Sequence, residues 1–152
     1  MLFKGASRRP TAREISEAIE SVGGSHNAAT DRELTVYYAK VPHTAAMETI
    51  DILADMIRAP IMDPAELEKE RSVILEELAS VEDSPGELAG ILIDETLWPG
   101  QPIGRNVGGS PDSVSSLPIS AVNAYLARQY VPENTVLAVA GNVNHEEVVA
   151  AA

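Results

Sequence analysis

Two carboxylates at a fixed spacing offer the first chemistry. Glu70 and Glu77 lie in DPAELEKERSVILEELASV, residues 63–81. Seven residues make two helical turns. At about 100° per residue the two side chains then leave the axis within roughly 20° of each other. The apolar residues Leu67, Val73, Ile74, Leu78 and Val81 recur at helical spacing, and the pair falls inside that stripe. A carboxylate on a core-facing stripe is costly unless a charged or hydrogen-bonding group meets it. Two together suggest a cation, a buried arginine or a catalytic site. The competing reading puts one or both at the stripe's edge, paired with a surface Lys or Arg.

The element that must position them is a helix. Asp63 can cap it, Pro64 suits its first position, and Glu66 completes the pattern of a capping box. Glu68, Lys69, Arg71, Ser72 and Glu76 point elsewhere and form the expected wet face. Upstream, Thr11 and Glu14 make a second capping box, and Ile15, Ala18, Ile19 and Val22 give a helix face that Gly23-Gly24 ends. From Ser25 to Val41 the period changes to β, which predicts two strands or one long strand with a bend near Asp31. Tyr37 and Tyr38 alternate there, so one faces the core. Thr44 to Arg58 predicts a helix stopped by Ala59-Pro60. Ser84 to about Leu97 predicts another, ended by Trp98-Pro99-Gly100. Gln101 to Pro118 is expected to be loop with one short turn at 111–114. Ile119 to Tyr130 is expected to be helical, Thr135 to Ala140 a continuous apolar strand, and Asn144 with Glu147 the start of a last helix. Together these predict an α+β, two-layer fold: a mainly antiparallel sheet with helices packed on one face, in a single domain.

Composition narrows the function classes. At 152 residues, 45% of them hydrophobic, the chain can bury a sizeable core. A net charge of −12 argues against nucleic acid or an anionic membrane as partner. Cysteine is absent, so any zinc site must use His and carboxylate. No apolar run approaches the roughly 18 residues of a membrane span, and MLFKGASRRP has no signal-peptide apolar region.

Several segments in register carry a family likeness: MLFKG at 1–5, VGGSHNAATDRELTVYYAKV at 22–41, ERSVILEE at 70–77, PIGRNVGG at 102–109 and YVPENTVLAVAGNV at 130–143. In this the chain resembles the pitrilysin/insulinase family of zinc metallopeptidases, which includes the mitochondrial processing peptidases. The resemblance implies an inverted zincin site, His-x-x-Glu-His on a helix plus a Glu further along the chain. It makes Glu77 the third zinc ligand and Glu70 a supporting carboxylate. It implies an extended peptide substrate held along Asn27, Ala28 and Ala29 by strand addition, a loop-ordering role for Arg105, and a second homologous domain or subunit as partner.

The chain departs from that family in one respect. His-x-x-Glu-His is absent, and His26, His43 and His145 stand in no such motif. Catalytic zinc needs three protein ligands and an open position. The chain as written is therefore expected to be a piece cut at both ends, binding no zinc stably and cleaving no peptide alone, with Zn2+ belonging to the complete protein. A non-catalytic partner half of the same family is the alternative. An acidic α+β binding domain, its carboxylates satisfied by Lys or Arg, is the third reading.

Overall fold

The computed structural model describes residues 1–152. Seven α-helices and one two-stranded antiparallel sheet follow in the order α1 (Ala12–Glu20), β1 (Ser25–Thr30), β2 (Thr35–Lys40), α2 (Ala46–Arg58), α3 (Pro64–Glu82), α4 (Pro85–Leu97), α5 (Pro111–Ser116), α6 (Ile119–Gln129) and α7 (His145–Ala151). The fold is α+β, as expected. The chain forms two compact units. One comprises Met1–Ala29, Val36–Met62 and Val122–Ala152, the other Thr30–Thr35 and Asp63–Ala121.

The first unit holds the main core. Ile15 and Ile19 of α1 meet Ile52 and Met56 of α2 around Ala6, with Ala39 and Val41 packed on from the strand side. The Thr11 capping box forms in full, with Thr11 Oγ1 accepting from Glu14 N at 3.2 Å and Glu14 Oε2 accepting from Thr11 N at 2.9 Å. The helix then closes by a Schellman pattern: Gly23 N–H donates to Glu20 O at 2.9 Å and Gly24 N–H to Ile19 O at 3.1 Å. Gly23 takes the left-handed φ of 78° that this closure needs. A Cβ on Gly24 would stand 2.6 Å from both Ile19 O and Val41 Cγ1, so this position admits only glycine. The strand alternation is as expected. Tyr37 is half-buried, sharing a 3.0 Å hydrogen bond with Tyr130, while Tyr38 on the other sheet face is exposed.

A polar anchor ties the N-terminal segment to α2. Asp55 is 6% exposed and accepts from Ser7 Oγ at 2.7 Å and from Arg8 N at 3.0 Å. The Arg8 guanidinium grips Asp51 through both carboxylate oxygens, at 2.7 and 2.6 Å. Burial alone would push the Asp55 carboxyl up. The bonds from Ser7 and Arg8 outweigh it and hold the group below the usual Asp range.

In the second unit α3 packs against α4 and α5, and α4 against the 3-10 turn at Pro102–Gly104. Leu78 is the one buried apolar side chain among these helices. The segment expected to be loop with one short turn carries a true helix, α5. Ser110 and Ser113 build its capping box, Ser113 N donating to Ser110 Oγ at 3.2 Å and Ser110 N to Ser113 Oγ at 2.9 Å.

Two expectations fail. Asp63 caps α3 alone, accepting from Ala65 N at 2.8 Å, while Glu66 turns to Lys69 instead of completing a box. An ammonium one turn away offers a stronger partner than a backbone N–H. Thr135–Ala140 forms no strand, and Val136 is 91% exposed. Its backbone enters extended, with Thr135 at φ −121° and ψ 136°. A strand requires a ladder partner, and this segment pairs with neither β1 nor β2.

Asp55→Ala is expected to cost about 2 kcal/mol, within the range for stranding buried partners of a charged acceptor. Because the folded carboxyl is depressed, its contribution is full above the ordinary Asp value of about 3.9. It fades as pH falls through the lower folded value. Urea unfolding of both forms from neutral to strongly acidic pH measures this: the two stability curves should converge at the acid end.

Candidate functional site: the carboxylate face of helix α3

Helix α3 is gripped on one side. Its buried arc centres on Leu78, with Leu67, Arg71, Ile74 and Leu75 half-buried around it. Val73 is 47% exposed. The stripe expected from sequence is therefore rotated: its buried centre lies toward Leu78 and Arg71, and Glu70 and Glu77 stand at its border. The reason is packing. The arc that docks the 106–117 segment is defined by Arg71 and Leu78, and Arg71, placed on the wet face by its charge, is 16% exposed. Glu70 is half-buried and Glu77 exposed. Neither is a deeply buried charge, so neither needs a compensating cation to be tolerated.

Two other carboxylates on α3 are paired locally, whereas Glu76 and Glu82 are exposed and unpaired like Glu77. Lys69 pairs with Glu66. Arg71 Nε and Nη2 each donate to Glu68 at 3.1 Å, and these bonds hold the Glu68 carboxyl below its ordinary value. The Glu77 side chain, like that of Glu76 beside it, makes no hydrogen bond or ion pair, which leaves its carboxylate open as an oxygen donor. Glu70 engages a partner and is not free in that sense. The donor set fits the contribution of one carboxylate ligand with a second carboxylate two turns away. It does not complete a metal shell, since no three His, Cys, Asp or Glu side chains come together.

The remaining candidates sit as follows. Asn27 is exposed on β1 and its Oδ1 accepts from Ala28 N at 2.8 Å; Ala28 is half-buried and Ala29 exposed. The side chain of Arg105 is exposed beside an open cleft of about 330 Å³ that Glu95, Trp98 and Gln101 also line. The guanidinium that touches the 106–118 segment is that of Arg71, donating to Val114 O and, at 2.9 Å, to Leu117 O. Sequence reasoning missed this contact. His26 packs against Phe3 with ring centroids 5.0 Å apart, and its buried Nδ1 has no partner. His43 lies in the 3-10 turn before α2, and His145 opens α7; both are exposed.

The structure is an α+β piece that carries two carboxylates two turns apart on one helix. The chain belongs to the insulinase family, peptidase family M16, whose model matches residues 1–110. It is 39% identical over 149 residues to an uncharacterized zinc protease of Streptomyces coelicolor, covering 98% of this chain and 32% of that protein. It is 38% identical over 149 residues to a probable beta subunit of the mitochondrial-processing peptidase of Arabidopsis thaliana, covering 98% of this chain and 28% of that one. Among solved structures, a protease from Helicobacter pylori superposes with a TM-score of 0.93 over 99% of this chain and 36% of its own, at 21% identity. Pitrilysin does so with a TM-score of 0.72 over 86% of this chain and 14% of its own, at 29% identity. The chain thus spans about a third of the length of the zinc proteases it matches.

Leu78→Ala removes the side chain that seats the 106–109 turn: its Cδ2 lies 3.2 Å from where a Gly108 Cβ would be. A loss of roughly 2–4 kcal/mol is expected, measured by chemical denaturation, with tryptophan fluorescence following Trp98 in the same unit.

Proposed function

We propose that this chain is part of one peptidase-family domain of a zinc-dependent metalloendopeptidase, to which it contributes the carboxylate side of the metal site. Glu77 is the third zinc ligand and Glu70 the supporting carboxylate. The observation that carries the reading is the exposed, unpaired Glu77 carboxylate two turns from Glu70, inside a family match that spans both. The zinc proteases among the relatives support Zn2+ as the cofactor of the complete protein.

In that protein the metal, when bound, polarises water and the peptide carbonyl. This chain's own part is to hold a hard oxygen donor on a rigid helix and to leave the Glu77 side chain unpaired and accessible. Asn27, Ala28 and Ala29 bind an extended peptide segment by backbone pairing along the free edge of β1; the sheet has two strands, so that edge carries unpaired backbone groups. The small side chains of Ala28 and Ala29 allow a second backbone to approach closely. Arg105 helps order the loop that bears it. A second homologous domain or subunit completes the enzyme. The chain by itself lacks the histidine ligands and is inactive.

The test is zinc content and peptide hydrolysis of the full-length protein, with Glu77→Gln and Glu70→Gln beside the wild type. Glu77→Gln should lose most of its zinc. Glu70→Gln should keep more of the metal while activity falls about tenfold or more, as for groups that act around a metal ligand. A wild-type protein that carries no zinc, and a Glu77→Gln form indistinguishable from it, would instead identify a non-catalytic partner half.

A further inference from the structure

Helix α5 ends in a chemical problem. The Val114 carbonyl would normally accept from the N–H four residues on, but that residue is Pro118, which has none. The Leu117 carbonyl is stranded too, because the Ala121 N–H goes to Pro118 O at 3.0 Å. Both orphaned carbonyls are met by one side chain from α3: Arg71 Nη1 donates to Val114 O, and Nη2 donates to Leu117 O at 2.9 Å. Glu68 holds the same guanidinium in place through Nε and Nη2, each at 3.1 Å. A planar fork with several donors suits this task, and a point-charge ammonium does not. Two turns along the same face, Leu78 receives Gly108, where a Cβ would come to 3.2 Å of Leu78 Cδ2. The 106–117 segment is therefore fastened to α3 at two places, and the polar fastening lies next to Glu70 in sequence.

We propose that Arg71 is a positioning residue for the Glu70/Glu77 face. By supplying the donors that Pro118 withholds, it locks the 106–117 segment onto one side of α3 and so sets the rotation at which Glu77 is presented. Arg71 lies about 100° around the helix from Glu70, so it holds the helix from the flank without touching the metal side. This rests on the zinc-ligand reading of Glu77. It adds that the ligand's aim depends on a guanidinium whose partners are backbone carbonyls more than forty residues away, at separations of 43 and 46.

The test uses the zinc-loaded full-length protein. Arg71→Ala should lower kcat about tenfold while KM changes by less than about twofold, because a ligand helix slightly out of register misplaces the reacting groups more than it weakens peptide binding. Adding Pro118→Ala to Arg71→Ala should recover part of the lost kcat, since residue 118 then offers Val114 O an N–H. Loss of packing alone would show no such rescue. If Arg71→Ala does not accumulate, Arg71→Lys carries the test and should show the same loss in kcat, smaller in size. Unchanged kcat in the Arg71 variant, or no recovery from Pro118→Ala, overturns the inference while leaving Glu77 its role. Full zinc and activity in a parallel Glu77→Gln protein overturns the reading beneath it, and the inference with it.

Discussion

A helix that presents carboxylates outward must be held by its other sides, and in α3 that holding falls to Leu78 and Arg71. Leu78 is the one buried apolar side chain among the helices of its unit. Arg71 provides the polar counterpart, closing the backbone of a neighbouring helix that proline leaves open. Neither contact involves Glu70 or Glu77 directly, yet both fix the arc on which they stand. The local pairing of Glu66 with Lys69 and of Glu68 with Arg71 has a complementary effect: it uses the basic side chains on α3 and leaves none to neutralise Glu77. Such exposed pairs contribute little to stability.

The two units differ in how they are stabilised. The first has a close core of Ile15, Ile19, Ile52 and Met56, and a buried carboxylate, Asp55, that fastens the N-terminal segment through Ser7 and Arg8. The second relies on capped, short-range elements, and α4 keeps Leu92, Ile93 and Leu97 more than half exposed. Thr135–Ala140, in the first unit, likewise leaves a run of apolar side chains in the open. Exposed apolar surface of this kind marks contact surfaces in longer proteins. The matched zinc proteases are about three times the length of this chain.

Much of the fold was legible because its signals are local. The Thr11-Glu14 box, the Gly23-Gly24 stop, the Tyr37/Tyr38 alternation and the Asp63-Pro64 start depend on residues within a few positions of one another, and each forms at the expected place. The helix α5 was partly hidden, because a Ser-Pro-rich stretch looks like a loop until the Ser110-Ser113 reciprocal bonds are seen. The strand expected at Thr135–Ala140 shows the opposite case. Its β propensity is plain in the sequence, but propensity cannot supply a ladder partner.

The sequence by itself determined the elements, the family likeness and the two-turn spacing of Glu70 and Glu77, since each follows from residue type and helical period. Only the tertiary structure decided which arc of α3 is buried. An amphipathic stripe read from sequence treats every apolar residue alike, whereas docking selects the side that a partner element can reach. Here that side runs through Arg71, whose charge argued for water. Its guanidinium is instead half-buried against carbonyls that a distant proline left without donors. No window along the sequence contains both the arginine and that proline, so the contact became visible only when the chain was folded.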